Sequence, residues 1–166
     1  MHPEVPATLP TSSGTLLIIG SNPPTTSGQR TLARAEQARH VLDFDRYEIV
    51  NLFSLPTYRT SGVSTAGISP DGWLDARPNL AHALDGASAV LLAYGISKPS
   101  GEAAKHHVAQ VKWLESEIDE RGLPVWWVGG APRHPSRWHR YTHRMHPETA
   151  FLTALTIALT RWVRSD

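Results

Sequence analysis

Thr15-Leu16-Leu17-Ile18-Ile19-Gly20, running into Ser21-Asn22-Pro23-Pro24, decides how the rest of this chain is read. An unbroken apolar run closed by a polar turn is the pattern of a strand covered on both faces, which is the habit of parallel sheets. The pattern recurs where Tyr47-Glu48-Ile49-Val50 meets Asn51-Leu52-Phe53, and where Pro124-Val125-Trp126-Trp127-Val128-Gly129 meets Arg133-His134-Pro135-Ser136. In such sheets ligands lie outside the carboxyl ends of the strands. Two carboxamides and an imidazole are therefore expected to converge on a small-molecule or nucleobase pocket.

Between these exits the sequence switches to helical spacing. A helix is expected from about Gln29 to Leu42 with Leu32, Ala35, Ala38 and Leu42 inward, and another over Trp73 to Leu84. Ala87 to Tyr94 reads as a strand buried on both faces. Ser100 is placed to cap a helix ending near Arg121, with Val108, Val111, Leu114 and Ile118 as its apolar stripe and His106-His107 on the surface. Pro147 is expected to open a closing helix with Phe151, Leu155, Ala158, Leu159 and Trp162 inward. The Ser/Thr/Gly/Pro connection from Leu55 to Pro70 is too long for a plain turn and reads as a functional loop. Four strands alternating with helices predict an α/β fold, a three-layer α/β/α sandwich around a central, mostly parallel four-stranded sheet.

The 166 residues suit one domain, 15–166, preceded by a loose Pro-rich tail over 1–14. Cysteine is absent, which excludes disulfides, thiolate metal sites and a cysteine nucleophile. No stretch approaches the roughly 18 apolar residues of a membrane span, so a cytoplasmic protein with no membrane partner is expected. A net charge of +1 hides a local concentration. Residues 131–146 carry Arg133, Arg137, Arg140 and Arg144 with four histidines and no acid, a segment suited to meeting phosphate.

The order of these loops resembles the uracil-DNA glycosylase superfamily: Gly20-Ser21-Asn22-Pro23 at the first strand, Val50-Asn51 at the second, Ala93-Tyr94-Gly95 at the buried strand and His134-Pro135-Ser136 at the last. More narrowly, Asn22-Pro23, Asn51-Leu52-Phe53-Ser54-Leu55, Tyr94-Gly95 and Pro132-Arg133-His134-Pro135 are similar to a family of small bacterial and phage proteins labelled only as a domain of unknown function, over residues 15 to about 144. The broader resemblance implies a uracil-DNA glycosylase-like fold and hydrolysis of the N-glycosidic bond of a uracil-like or modified base in DNA or a nucleotide, with no cofactor and no protein partner.

Under that resemblance Asn22 and His134 are the catalytic pair. Asn22 would orient water, and His134 would donate to the base carbonyl as negative charge grows there. Ser21, Pro23, Asn51, Phe53, Tyr94 and Ser136 would surround the base, Asn51 offering both a donor and an acceptor to a pyrimidine edge. Arg133, Arg137, Trp138 and Arg140 would meet phosphate or DNA, Trp138 as a wedge between stacked bases. The classical branch has aspartate where this chain has Asn22, and an aromatic stacking residue soon after the first loop, where residues 24–43 hold none. Phe53, Tyr58 or Trp138 would then supply the stacking face.

Two other readings use the same residues. A non-catalytic module would bind a nucleobase, nucleotide or DNA with these side chains and turn nothing over. A His-rich, metal-dependent hydrolase would use His139 and His143, four apart, with His134 and His146 nearby. There is no Gly-x-Gly-x-x-Gly, no Gly-Lys-Ser/Thr loop and no nucleophile elbow, which removes the dinucleotide, P-loop and serine-hydrolase readings.

Overall fold

In the computed structural model, which describes residues 13–57 and 62–163, the expected strands and helices form around one sheet. Strand β1 (Thr15–Gly20) leads to α1 (Gln29–Leu42) and β2 (Arg46–Asn51). A short helix α2 (Val63–Ala66) and the long α3 (Asp71–Asp85) precede β3 (Ala89–Leu92). Helix α4 (Glu102–Arg121) leads to β4 (Val125–Val128), a 3-10 turn over Pro135–Arg137, α5 (Trp138–Met145), α6 (Phe151–Ala158) and β5 (Leu159–Trp162).

The sheet order is β2-β1-β3-β4-β5. The first four strands are parallel, and β5 runs antiparallel to β4 with Val125 opposite Trp162 and Trp127 opposite Thr160. The sheet thus has five strands, not the expected four. The closing segment Phe151–Trp162 changes from helix to strand after Ala158, so Leu159 and Trp162 belong to an edge strand rather than to a helical stripe. Thr160, Arg161 and Trp162, with one β-branched and one aromatic residue, suit a pleated edge as well as a last helical turn, and the open side of β4 decides between them.

Side chains alternate faces along β1, and that alternation divides the core. Leu17 and Ile19 pack with Trp73, Leu80 and Leu84 of α3 and Leu114 and Ile118 of α4. Leu16 and Ile18 pack with Ala35 and Ala38 of α1, Trp138 of α5 and Leu155 of α6. The result is three layers. Each fully buried leucine or isoleucine contributes about 1.5–3 kcal/mol, so the four of β1 alone account for much of what anchors the centre. The chain leaves β1 toward β2 and then returns past it to β3, and a reversal of direction with right-handed crossovers places α1 on one face and α3 on the other.

Several expectations shift by one helical position. On α4 the buried stripe is Ala103, His107, Gln110, Leu114 and Ile118, while Val108 is 46% exposed. His107, expected at the surface, is 8% exposed and lies edge-on to Trp73 and Tyr94, each ring 6.0 Å away. Ser100 does not cap this helix. Gly101 occupies that position at φ 64°, and the Ser100 amide donates to Ser64 Oγ. The closing helix starts at Phe151, four residues beyond Pro147. Of the expected tail, residues 1–12 lie outside the described residues, while the Gly14 amide donates to Asp45 Oδ2 at 2.9 Å.

Candidate functional site

The order β2-β1-β3 makes the chain diverge at the carboxyl ends of β1 and β3, which is where an open parallel sheet leaves a crevice. Backbone hydrogen bonds extend the sheet past the strand ends into the loops. Leu52 and Phe53 amides donate to Gly20 and Ser21 carbonyls at 2.9 and 3.0 Å, Ala93 donates to Ile19 at 2.9 Å, and Gly95 donates to Pro132 at 2.6 Å. Four loops are thereby held side by side.

The first consequence is a cavity of about 240 Å³ that Asn22, Asn51 and His134 line together, with Ser21 beside them. Its apolar walls come from Ile18, Leu32, Ile49 and Ala93. Leu32 was expected to face the core, but the first turn of α1 overhangs the crevice and leaves it 43% exposed. Pro24, not Pro23, lines the cavity, while the Pro23 carbonyl accepts from Asn22 Nδ2 at 3.4 Å.

Asn22 Nδ2 also donates to Thr57 Oγ1 at 2.7 Å. Because the Pro23 backbone carbonyl can only accept, it is Nδ2 that faces it, and Oδ1 is the atom left to accept from a ligand or water. The Asn51 carboxamide has no hydrogen-bond partner among the described residues. It lies so close over Gly20 that a Cβ there would sit 2.5 Å from Oδ1, so the absence of a side chain at Gly20 lets Asn51 reach into the crevice.

His134 is half-buried and its tautomer follows from its partners. The Ser136 amide donates to Nδ1 at 3.1 Å and Ser136 Oγ lies 2.8 Å from the same atom. An Nδ1 that accepts a backbone N–H carries no proton, so the neutral ring has its hydrogen on Nε2 and offers it as a donor. Burial first, and the Arg137 charge second, push its pKa below the ordinary histidine value of 6.5.

A second cavity of about 400 Å³ meets the first at His134. Arg133, Arg137, Arg140 and Arg144 line it, with Tyr94, Gly95, Ser136 and Tyr141. Positions 137, 140/141 and 144 fall on one face of the turn and helix α5, which is why the guanidinium groups gather. Arg133 is fixed: its Nε donates to the Val128 carbonyl at 3.0 Å and its guanidinium lies 3.9 Å from the Tyr141 ring centre. Arg137, Arg140 and Arg144 pair with no carboxylate among the described residues, and no aspartate or glutamate lines either cavity. The Tyr94 hydroxyl, desolvated by burial and near Glu115, is pushed up to about 12 and stays a neutral donor.

Two expected ligand contacts are corrected. Trp138 is 0% exposed, with Nε1 donating to the Arg133 carbonyl at 3.0 Å, so it presents no wedge to a duplex. Phe53 is likewise enclosed, its ring 4.8 Å from that of Trp73 and pressed against Gly72, so it offers no stacking face. Tyr58 lies outside the described residues. His139 and His143 stack at 6.3 Å, but no group of three histidines, aspartates or glutamates able to hold a metal occurs among the described residues. No helix among them is long and apolar enough to cross a membrane.

Arg144 was visible in the sequence as the next turn of an arginine face. Leu32 and Ile49 were not, because an aliphatic cavity wall carries the same signal as core. A model of a protein family described as a protein of unknown function (DUF1643) matches residues 8–136. No curated protein and no solved structure matches the chain.

Proposed function

The chain belongs to the DUF1643 family of proteins of unknown function, and from the chemistry of its own crevice we propose that it hydrolyses the N-glycosidic bond of a uracil-like or modified pyrimidine, in the manner of a uracil-DNA glycosylase. One observation carries the reading: Asn22, Asn51 and His134 line a single cavity although they come from the ends of three different strands. In this reaction the C1′–N bond breaks and its electron pair leaves with the base. Water oxygen bonds to C1′ and loses a proton to solvent, and the base anion takes one up.

Each group has a part in that sequence. His134 Nε2–H donates to the base carbonyl as negative charge develops there, and a neutral imidazole held by Ser136 does so without reorganising. Asn51 reads the pyrimidine edge. Asn22 Oδ1 accepts from the attacking water and orients it, which suffices for a bond that breaks mainly by charge separation but not for strong base catalysis. Leu32 and Ile49 cover the base with aliphatic rather than aromatic surface.

A second reading has its own observation: no carboxylate lines the cavity, so a module that binds a base without cleaving it would use the same side chains. Incubation of the protein with uracil-containing oligonucleotides and with deoxyuridine nucleotides, scored by chromatography for free base, separates the two. Released base that disappears in His134→Ala supports hydrolysis. Saturable binding with no release leaves the binding module.

A further inference from the structure

The arginine cavity has a shape and charge that a single phosphate would not use up. Arg137, Arg140 and Arg144 are spread along about two turns, which at 1.5 Å per residue is roughly 10 Å, longer than one phosphoryl group. With Arg133 they bring four guanidinium groups to one cavity of about 400 Å³ without a lining carboxylate. A monophosphate would leave most of this charge uncompensated, whereas a chain of two or three phosphates spans the row and matches it. The cavity adjoins the carboxamide crevice at His134 and nowhere requires a long strand of nucleic acid.

A duplex substrate makes a further demand. Flipping a base out of a stack costs a few kcal/mol, commonly offset by a side chain inserted in its place. Trp138, the residue best placed in sequence for that task, is fully enclosed and hydrogen-bonded inside the fold. No other aromatic ring that lines the two cavities takes over, since Tyr94 is buried and Tyr141 carries Arg133 on its face; the exposed apolar side chains there are the aliphatic Leu32 and Ile96. We propose that the ligand is a free pyrimidine nucleoside 5′-di- or triphosphate, its base between Asn22 and Asn51 and its phosphate chain along Arg137, Arg140 and Arg144. The base half of this assignment rests on the reading given under Proposed function; the phosphate half does not.

Titration calorimetry in about 0.15 M salt tests both halves with four probes: inorganic tripolyphosphate, orthophosphate, deoxyuridine triphosphate and a uracil-containing duplex oligonucleotide. Tripolyphosphate is expected to bind at least tenfold more tightly than orthophosphate, to lose at least tenfold in the double variant Arg140→Ala/Arg144→Ala, and to be unaffected by Asn51→Ala. Both arginines are exposed, so a thermal melt of the double variant should match the parent. Deoxyuridine triphosphate should bind more tightly than tripolyphosphate and lose that advantage in Asn51→Ala. Equal affinity for tripolyphosphate and orthophosphate, or indifference to the arginine variant, overturns the polyphosphate site. An oligonucleotide that outcompetes the triphosphate overturns the free-nucleotide assignment in favour of DNA. Tripolyphosphate binding as expected, with an Asn51→Ala variant that treats the nucleotide normally, would leave the phosphate site standing and remove the base crevice reading beneath it.

Discussion

The Nδ1 atom of His134 accepts from Ser136, and this one contact makes the pH behaviour of the proposed reaction calculable in sign. The group's pKa lies below 6.5, so its neutral, Nε2-protonated form persists throughout the neutral range. Acidification adds a proton to Nδ1, displaces the Ser136 donors and places a second cation beside Arg137. Turnover should therefore stay flat above pH 6.5 and decline below it, with its midpoint on the acid side of that value in a pH–rate profile. Replacing His134 by alanine should lower kcat about 10²–10³-fold with little change in KM, as expected for a donor used mainly in the transition state. Trp138→Ala should act on stability instead, costing about 3–5 kcal/mol in a denaturant titration, because it removes a fully buried indole and leaves the Arg133 carbonyl unpaired. The sequence showed Trp138 beside a His-Pro-Ser loop. Which way the indole turned depended on residues of β1, β3 and α6 that pack around it.

Helix α4 shows how an element can be legible in extent and misread in rotation. Its end at Gly122 follows from the Gly-Leu-Pro break, and the structure ends it at Arg121 as expected. Its buried face is turned by one position, because Gln110 is fully buried and its polar side chain disguises the stripe. Gln110 Nε2 donates to the Leu52 and Trp73 carbonyls at 2.8 Å each, and Oε1 accepts from Arg77 Nε at 2.9 Å. This one amide ties the exit loop of β2, and so Asn51, to the start of α3. Gln110→Leu should cost about 2–4 kcal/mol, since two buried carbonyls lose their donor, and should weaken nucleotide binding through the displaced Asn51 loop. Thermal melts and titrations of the same variant would check both. The fifth strand was illegible for another reason: Leu159–Trp162 is short enough to satisfy a helical or an extended pattern, and only the unpaired edge of β4 selects between them.

Across the whole molecule, two buried or half-buried histidines lower stability on the acid side. His107 and His134 both have folded-state pKa values below the ordinary 6.5, each chiefly through burial, with Lys98 and Arg137 respectively adding to it. Above 6.5 both states are neutral and the full stability is present. Below 6.5 the unfolded chain takes up protons that the folded one refuses, so stability falls with pH until the folded values are reached. For the 8%-exposed His107 the slope in that window is at most about 1.4 kcal/mol per pH unit, and His107→Phe should flatten the curve of unfolding free energy just below pH 6.5. The arginine cavity makes an opposite, charge-driven demand: ligand affinity should fall with added salt, and less steeply in Arg140→Ala/Arg144→Ala.

The alternation of apolar runs with helical spacing, the polar residues at strand exits and the arginine segment were all present in the one-dimensional chain. Together they determined an α/β protein with a mostly parallel sheet, because periodicity and local turn chemistry depend on near neighbours alone. Sheet order, the antiparallel fifth strand, the burial of Trp138 and Phe53, and the convergence of Asn22, Asn51 and His134 on one crevice were decided only in three dimensions. Each depends on which faces meet across dozens of residues, and a side chain's sequence neighbours do not specify that. Indole, imidazole and carboxamide groups can satisfy themselves in a core or at a ligand site alike; packing chooses.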